Sequence, residues 1–304
     1  MRYVVGYTAD DRGRNAIDLA VAFARGQEAT LSLVMVLPPN EPFQAVYPPT
    51  NDYDDILAGQ AKTWLIEGVA LVPEGINTTA EIRYAHSFAE GLMASAAEQR
   101  AAMIVIGTAK GALFQRSTVG SVANGLLHAS TTPVAIAPLG YQPSREISRI
   151  TSAVGNRQGA DDALEVAITS ALNRNIPLRI ISLLALDTSS SDARDRAQSH
   201  ADRIREDVLA RVEGAIDVTA FAAHGRTIEE AVETLDWDDS EIVIVGSSRL
   251  AERSKLFMGS TANKMLRVLP VPMVVVPRQY TIPDHLNPFV SADELNLESF
   301  EGEG

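Results

Sequence analysis

Two segments, IVIG at Ile104–Gly107 and GSVAN at Gly120–Asn124, decide the fold of this 304-residue chain. Nearly the same pair returns as VIVG at Val243–Gly246 and GSTAN at Gly259–Asn263, shifted by 139 residues (243 − 104 and 259 − 120). Each pair predicts a short buried strand, a loop, and a Gly-Ser that opens a helix. The first N–H groups of a helix lack intrahelical partners, and the helix dipole favours negative charge there. Each pair therefore predicts a place that can hold an anion.

The other elements repeat in the same order around these two pairs. A strand at Tyr3–Tyr7 and a helix at Arg14–Arg25 return as Ile150–Val154 and Ala160–Leu172, with an offset of 147 (150 − 3). The offset falls from 147 to 139 further along, which places eight extra residues (147 − 139) of the first copy near the proline-rich stretch Pro38–Asn51. The remaining predicted elements are Leu31–Leu37, Asp52–Val72, Asn77–Tyr84, a helix from Ser87 to Arg100, Pro133–Pro138, Leu178–Leu184, Asp192–Val212, Asp217–Ala222, a helix opening at Thr227, and Pro272–Pro277.

Strands that alternate with helices indicate a parallel sheet with right-handed crossovers. We predict an α/β fold of two tandem doubly wound (Rossmann-like) domains, each a five-stranded parallel sheet with helices on both faces. The domains span residues 1–140 and 149–278, and an acidic tail follows at 283–304. In such sheets ligands bind beyond the carboxyl ends of the strands, where the strand order reverses. Gly6–Ala9 and Gly107–Lys110 would then face one crevice, which the helix start at Gly120 closes and which accommodates an adenosine with its phosphates at that helix.

Composition excludes several classes of function. The net charge is −13 and there is no basic stripe, which argues against nucleic-acid binding. The chain has no cysteine, so disulfides and thiolate chemistry are excluded, and it has no apolar run of the roughly 18 residues that a membrane helix needs. The five histidines are scattered without metal-ligand spacing, and no acid/base pair or nucleophile motif is visible. We expect a cytoplasmic protein with no metal site, no membrane contact and no catalytic residues.

These residues resemble a tandem universal stress protein. The resemblance covers residues 2–139 and 149–278 and rests on the strand order, the Ala-x3-Ala first helix, the Gly-x12-Gly-Ser spacing and the closing strand after a proline. It implies a stress-response protein that binds ATP, with or without Mg²⁺, and hydrolyses it slowly or not at all. It also implies pairing through the last strand of each domain, hence an intramolecular pseudo-dimer that could associate further. The candidate nucleotide-binding residues are Gly6, Tyr7, Thr8, Ile106, Gly107, Lys110, Gly111, Gly120, Ser121, Val122, Gly155, Gly246, Arg249, Gly259, Ser260 and Thr261.

The chain departs from the pattern of the family's ATP-binding branch, Gly-x2-Gly-x9-Gly-Ser. Lys110 and Arg249 replace the middle glycine, and Gly111 stands one place late. Thr8 and Gly155 stand where ATP-binding relatives carry an acidic residue. A threonine keeps a hydroxyl whereas a glycine keeps nothing, so the first copy is the better nucleotide candidate and the second is expected to be a degenerate partner.

Three alternatives stay open. Gly-Ser can be only a turn glycine followed by an N-cap serine, with Thr8 hydrogen-bonded locally. The fold can have lost its nucleotide and act as a dimeric interaction module. An ATP-consuming transferase is the weakest alternative, because the loop at Thr8–Gly13 supplies no additional pyrophosphate site.

Overall fold

A computed structural model describes residues 1–39, 52–110, 117–118, 120–142, 146–154, 161–185, 191–248, 250–283 and 286–287. The predicted proline-rich loop from residue 40 to 51, the site candidates Gly111, Gly155 and Arg249, and nearly all of the acidic tail lie outside the described residues. Lys110 is described in its backbone only.

The first half contains seven strands and four helices within these ranges. They are β1 (Arg2–Gly6), α1 (Asp11–Ala24), β2 (Thr30–Leu37), α2 (Asp52–Ala70), β3 (Asn77–Tyr84), α3 (Phe88–Glu98), β4 (Met103–Gly107), β5 (Ala109–Lys110), β6 (Ser117–Thr118), α4 (Ser121–Ala129) and β7 (Val134–Ala137). The described residues of the second half repeat this order, without an assigned counterpart of β5 and β6. Its elements are β8 (Arg149–Val154), α5 (Asp161–Arg174), β9 (Leu178–Ala185), α6 (Ser191–Val212), β10 (Val218–Gly225), α7 (Ile228–Glu233), β11 (Glu241–Gly246), α8 (Ser260–Val268) and β12 (Met273–Val276).

Ten of the strands form one continuous sheet in the order β10-β9-β8-β11-β12-β7-β4-β1-β2-β3. Each half contributes five strands to this sheet, and within a half these strands are parallel to their neighbours. This confirms the predicted α/β class and the doubly wound order. The short antiparallel hairpin β5–β6 was not predicted.

The two halves join through their closing strands. β7 and β12 run antiparallel, and Ala135 lies opposite Val274. These two residues are equivalent in the repeat (274 − 135 = 139), so a pseudo-twofold axis passes between them. Both closing strands are fully buried four-residue segments, as a strand covered on both faces should be.

Strand register locates the extra residues of the first copy. Tyr3 pairs with Leu31 as Ile150 pairs with Leu178, which keeps the offset at 147. Leu31 pairs with Thr78 and Leu178 with Val218, so the offset at the third strand is 140 (218 − 78). Seven extra residues (147 − 140) thus lie between β2 and β3, and the eighth lies between β3 and β4. The sequence predicts all eight extra residues near the proline-rich loop, whereas the register leaves only seven of them between β2 and β3.

Two apolar clusters cover the two faces of the sheet. One lies under α1, α2, α5 and α6, and the other under α3, α4, α7 and α8. Both clusters draw residues from both halves, so the core is continuous across the junction. None of the helices in the described ranges combines the length and apolar character that a bilayer crossing requires.

Candidate functional site

The carboxyl ends of β1 and β4 lie side by side, since Val5 pairs with Val105 in parallel register. The chain leaves β1 toward β2 on one side and reaches β4 on the other, so the strand order reverses between them. A crevice for ligands is expected at such a point in a doubly wound sheet. The structure therefore brings the two predicted segments, after Gly6 and after Gly107, to neighbouring strand ends.

Gly107, at the end of β4, lets the helix that follows β1 pack closely against the strand. A β-carbon added there would lie 2.2 Å from the carbonyl oxygen of Arg12, in the first turn of α1. Gly6 is similarly confined, because a β-carbon would lie 2.8 Å from Leu92 Cδ1. Both glycines allow helices to pack closely against the strand ends, which explains them without any ligand.

Thr8 belongs to a local network at the start of α1. Its hydroxyl donates to Asp10 Oδ1 at 2.6 Å, and Asp10 also accepts from the Arg12 side chain at 2.8 and 2.5 Å. Asp10 is the N-cap of α1 and accepts from the backbone N–H groups of Arg12 and Gly13. Burial raises the pKa of Asp10, but hydrogen bonds from Arg12, Thr8 and Gly13 outweigh burial and hold the pKa below its usual range. A carboxylate thus stands near the end of β1, two residues after the expected place, and is already paired.

The two predicted helix starts are alike. Gly120 is the N-cap of α4 and Gly259 that of α8, with φ and ψ of −65° and 165° in one and −71° and 164° in the other. Among the described residues neither helix has a side-chain cap, so within this part of the chain the N–H groups of both first turns are available as donors. Ser121 and Ser260 are the first helical residues and are exposed. The alternative in which these serines act as N-caps is therefore wrong.

The two ends of the segment between β4 and α4 pair with each other as the short strands β5 and β6. Ala109 pairs with Thr118 and Lys110 with Ser117. In the second half the equivalent residues make the same contact, because the N–H of Ser248 donates to the Phe257 carbonyl at 2.7 Å. Ser248 also packs 3.5 Å from where a β-carbon of Gly259 would lie.

The loop of the second half is docked on the first half. The N–H groups of Leu256 and Met258 donate to the carbonyls of Ser130 and Leu127, at 2.8 and 3.0 Å. The ring of Phe257 meets the His128 ring edge-on, with centroids 4.9 Å apart. The loop next to the second candidate site is thus held at the end of α4 in the first half.

The other candidates divide between core and surface. Tyr7 is buried, and a β-carbon at Gly68 of α2 would lie 2.8 Å from its ring. Ile106 is buried and Val122 packs against the same apolar cluster. Gly246 pairs with Val276 in the sheet. Thr261 is exposed on the first turn of α8.

Sequence reasoning missed two features of this region. Asp10 was overlooked because the helix was predicted to begin at Arg14, although an Asp three residues before Gly13 is a recognisable cap signal. Thr108 and Ser247 follow β4 and β11, and each N–H donates to the carbonyl of the closing strand. No local pattern marks such a bond, since its acceptor lies about 30 residues away (137 − 108 = 29).

Within the described ranges, no cluster of three or more His, Asp or Glu side chains is arranged to hold a metal ion.

Fold and site together define a class: a tandem doubly wound α/β protein with an uncapped helix start at the switch-point edge of each half. The model of the universal stress protein family matches residues 1–138 and 146–277. The chain therefore belongs to the universal stress protein family, in its tandem form.

Relatives of similar length support this assignment. Universal stress proteins of Mycobacterium tuberculosis and Mycobacterium bovis are each 25% identical over 293 residues, covering 91% of this chain and all of theirs. A universal stress protein from Archaeoglobus fulgidus shares the fold with a TM-score of 0.68 at 20% identity, over 91% of this chain and 98% of that one. A functionally unknown protein from Pseudomonas aeruginosa shares it with a TM-score of 0.57 at 16% identity, over 98% and 96%.

Proposed function

We propose that this chain is a cytoplasmic stress-response protein that binds an adenine nucleotide, ATP with or without Mg²⁺, in its first half. The observation that carries the proposal is the start of α4. Gly120 presents a helix end that has no side-chain cap among the described residues, and it lies near the end of β4 because Thr118 pairs with Ala109. Free N–H donors and the helix dipole favour a phosphate there.

Space and charge at this helix start support the proposal. Among the described residues, nothing lies within 4 Å of a β-carbon built on Gly120. The carboxylate of Asp10, which follows β1, is paired with Arg12 and the first turn of α1, and this pairing reduces its repulsion of a phosphate. We propose binding without efficient turnover, because no base or nucleophile was found by motif and spacing.

The test is isothermal titration with ATP and magnesium on wild-type protein and two matched variants, Gly120→Val and Gly259→Val. Both glycines cap equivalent helices with nearly equal backbone angles. We expect Gly120→Val to weaken ATP binding at least about tenfold, the equivalent of one or two lost hydrogen bonds to a charged group. Gly259→Val should bind like the wild type. An absence of binding to wild-type protein at millimolar ATP, or equal binding by all three proteins, would reject the proposal.

A second function is favoured by the docked loop of the second half, whose backbone groups bond to the first half through Leu256 and Met258. In this alternative the protein is a nucleotide-independent dimeric interaction module. Partners captured equally by wild-type, Gly120→Val and Gly259→Val proteins, with no nucleotide in any of them, would support it.

A further inference from the structure

A cavity of about 120 Å³ lies at the junction of the two halves, away from the candidate nucleotide site. We call it the seam cavity. The first half contributes Tyr3 and Phe23, the second contributes Ile150 and Ser170, and Tyr280 and Ile282 lie along one side. Met103 and Ile242, near the starts of β4 and β11, also line it, so it lies toward the amino ends of the strands. The nucleotide proposal concerns the opposite edge of the sheet.

The two copies differ at several equivalent pairs that line the seam cavity, and the pair that differs most in size is Phe23 and Ser170. Phe23 and Ser170 correspond in the repeat (170 − 23 = 147), and both line the cavity. Phe23 fills its side with a ring that packs 6.0 Å, centroid to centroid, from the ring of Tyr3. Ser170 lacks such a ring. Because Ser170 lines the cavity, a phenylalanine at that position would place a second ring in this space.

One wall of the seam cavity is polar and the other apolar. The residues of α5 that line it are Val166, Thr169, Ser170, Asn173 and Arg174, spaced as one helical stripe. Ile242, Ile244 and Val274 of the sheet also line it. Thr169 is only 5% exposed, and among the described residues its hydroxyl oxygen has no hydrogen-bond partner. A buried hydroxyl without a partner is costly, and a ligand atom that accepts from it would remove that cost.

Arg174 adds a partly buried positive charge to the same stripe. Its guanidinium donates to the carbonyls of Phe23 and Arg25, at 2.6 and 3.3 Å. Within the described part of the chain, it forms no ion pair with a carboxylate inside 4 Å. Burial lowers the pKa of Arg174, and nearby Tyr3 and Glu146 offset this only in part. The guanidinium stays charged and would gain from an anion.

We propose that the seam cavity binds a small carboxylic acid with an apolar body about the size of an aromatic ring. The volume sets the size, since a cavity of roughly 150 Å³ lined by apolar side chains holds benzene. The sheet residues receive the apolar body, and the carboxylate pairs with Arg174 at the end of the stripe that reaches the surface. Asn173, one residue earlier, is exposed and ties the C-terminal segment down by donating to the Leu286 carbonyl at 2.9 Å.

Benzoate is the probe, and benzyl alcohol is its uncharged counterpart. Titration calorimetry would measure both on wild-type protein and on Ser170→Phe, Arg174→Gln and Arg174→Lys. We expect benzoate to bind wild-type protein at least about tenfold more tightly than benzyl alcohol, the worth of one charged pair. Ser170→Phe should abolish binding of both, Arg174→Gln should remove the preference for benzoate, and Arg174→Lys should keep most of it.

Three results would overturn the proposal. They are no benzoate binding at millimolar concentration, equal affinity for the two probes, and unchanged benzoate binding by Ser170→Phe. If Ser170→Phe does not fold, methyl NMR shifts of Ile150, Ile242 and Ile244 in wild-type protein decide the location, because a benzoate bound elsewhere leaves them unchanged. ATP binding is measured separately and its failure has no bearing on this result.

Discussion

The substitution Glu241→Gln should destabilise the second half strongly, because Glu241 is a fully buried carboxylate that pairs with two arginines. Glu241 is fully buried at the start of β11. One carboxylate oxygen accepts from Thr151 and from Arg179 at 2.7 Å, and the other accepts from Arg149 at 2.6 Å. The cluster therefore ties β8, β9 and β11 together. The first half has Val4, Ser32 and Ala102 at the positions of Thr151, Arg179 and Glu241, so it has no such cluster.

The magnitude follows from what the substitution leaves behind. The Arg179 side chain is only 6% exposed, and its guanidinium lies 4.7 Å from the centre of the Trp237 ring. Without the carboxylate, this buried cation loses its ion-pair partner, and the amide of glutamine directs a donor at one of the arginines. Breaking a buried ion pair by removing one partner costs about 3–5 kcal/mol.

The assay is equilibrium urea unfolding, followed by fluorescence of the two tryptophans in the chain. The matched control is Glu165→Gln, which breaks the ion pair of Glu165 with Arg211, where the two side chains are 42% and 39% exposed. Exposed pairs contribute at most about 1 kcal/mol, so the control should unfold nearly like the wild type. If Glu241→Gln lowers the free energy of unfolding no more than Glu165→Gln does, the cluster does not stabilise the fold as argued.

Two further predictions concern the first half. Gly107→Ala places a β-carbon 2.2 Å from the Arg12 carbonyl oxygen and should lower the stability measured in a thermal melt by about 1–3 kcal/mol. Gly120→Ala places its β-carbon in open space and should lower the stability much less. Equal losses of stability in the two variants would contradict the packing argument. Asp10 has a lowered pKa, so its contribution to stability is present above its unfolded pKa of about 4 and is lost as the pH falls through its folded pKa. Asp10→Asn keeps a capping side chain and should flatten this acid-side loss in melts recorded from neutral to acidic pH. An unchanged pH profile would show that Asp10 is not responsible.

Much of the fold could be predicted because residues close together in the sequence specify most of its helices and strands. The buried run at Ile104–Gly107 and the capping spacing at Ser87 and Glu90 each specify an element through residues a few places apart. Ser87 does accept a hydrogen bond from the Glu90 N–H, as that spacing predicts. Element ends were less certain, as the helix start at Asp11 instead of Arg14 shows, because a cap outside the apolar stripe leaves no periodic signal.

The candidate site was predictable only in outline. The helix starts at Gly120 and Gly259 follow from the repeated Gly-Ser, although the sequence left open whether the serine is the N-cap. The role of Gly107 does not, because the atom it must accommodate belongs to Arg12, 95 residues earlier (107 − 12). The docking of Leu256 on Ser130 was equally hidden, since it joins two halves of the chain.

The sequence by itself determined the class of fold, its duplication and the family, because hydrophobic period, chain order and a repeated spacing are properties of the chain alone. Only the tertiary structure decided that Gly107 makes room for a helix and that Gly120 faces open space among the described residues. It also decided which arginines Glu241 contacts and that Phe23 and Ser170 line the same cavity. These features depend on which distant side chains share a small volume, and packing, unlike periodicity, is settled only when the whole sheet has formed.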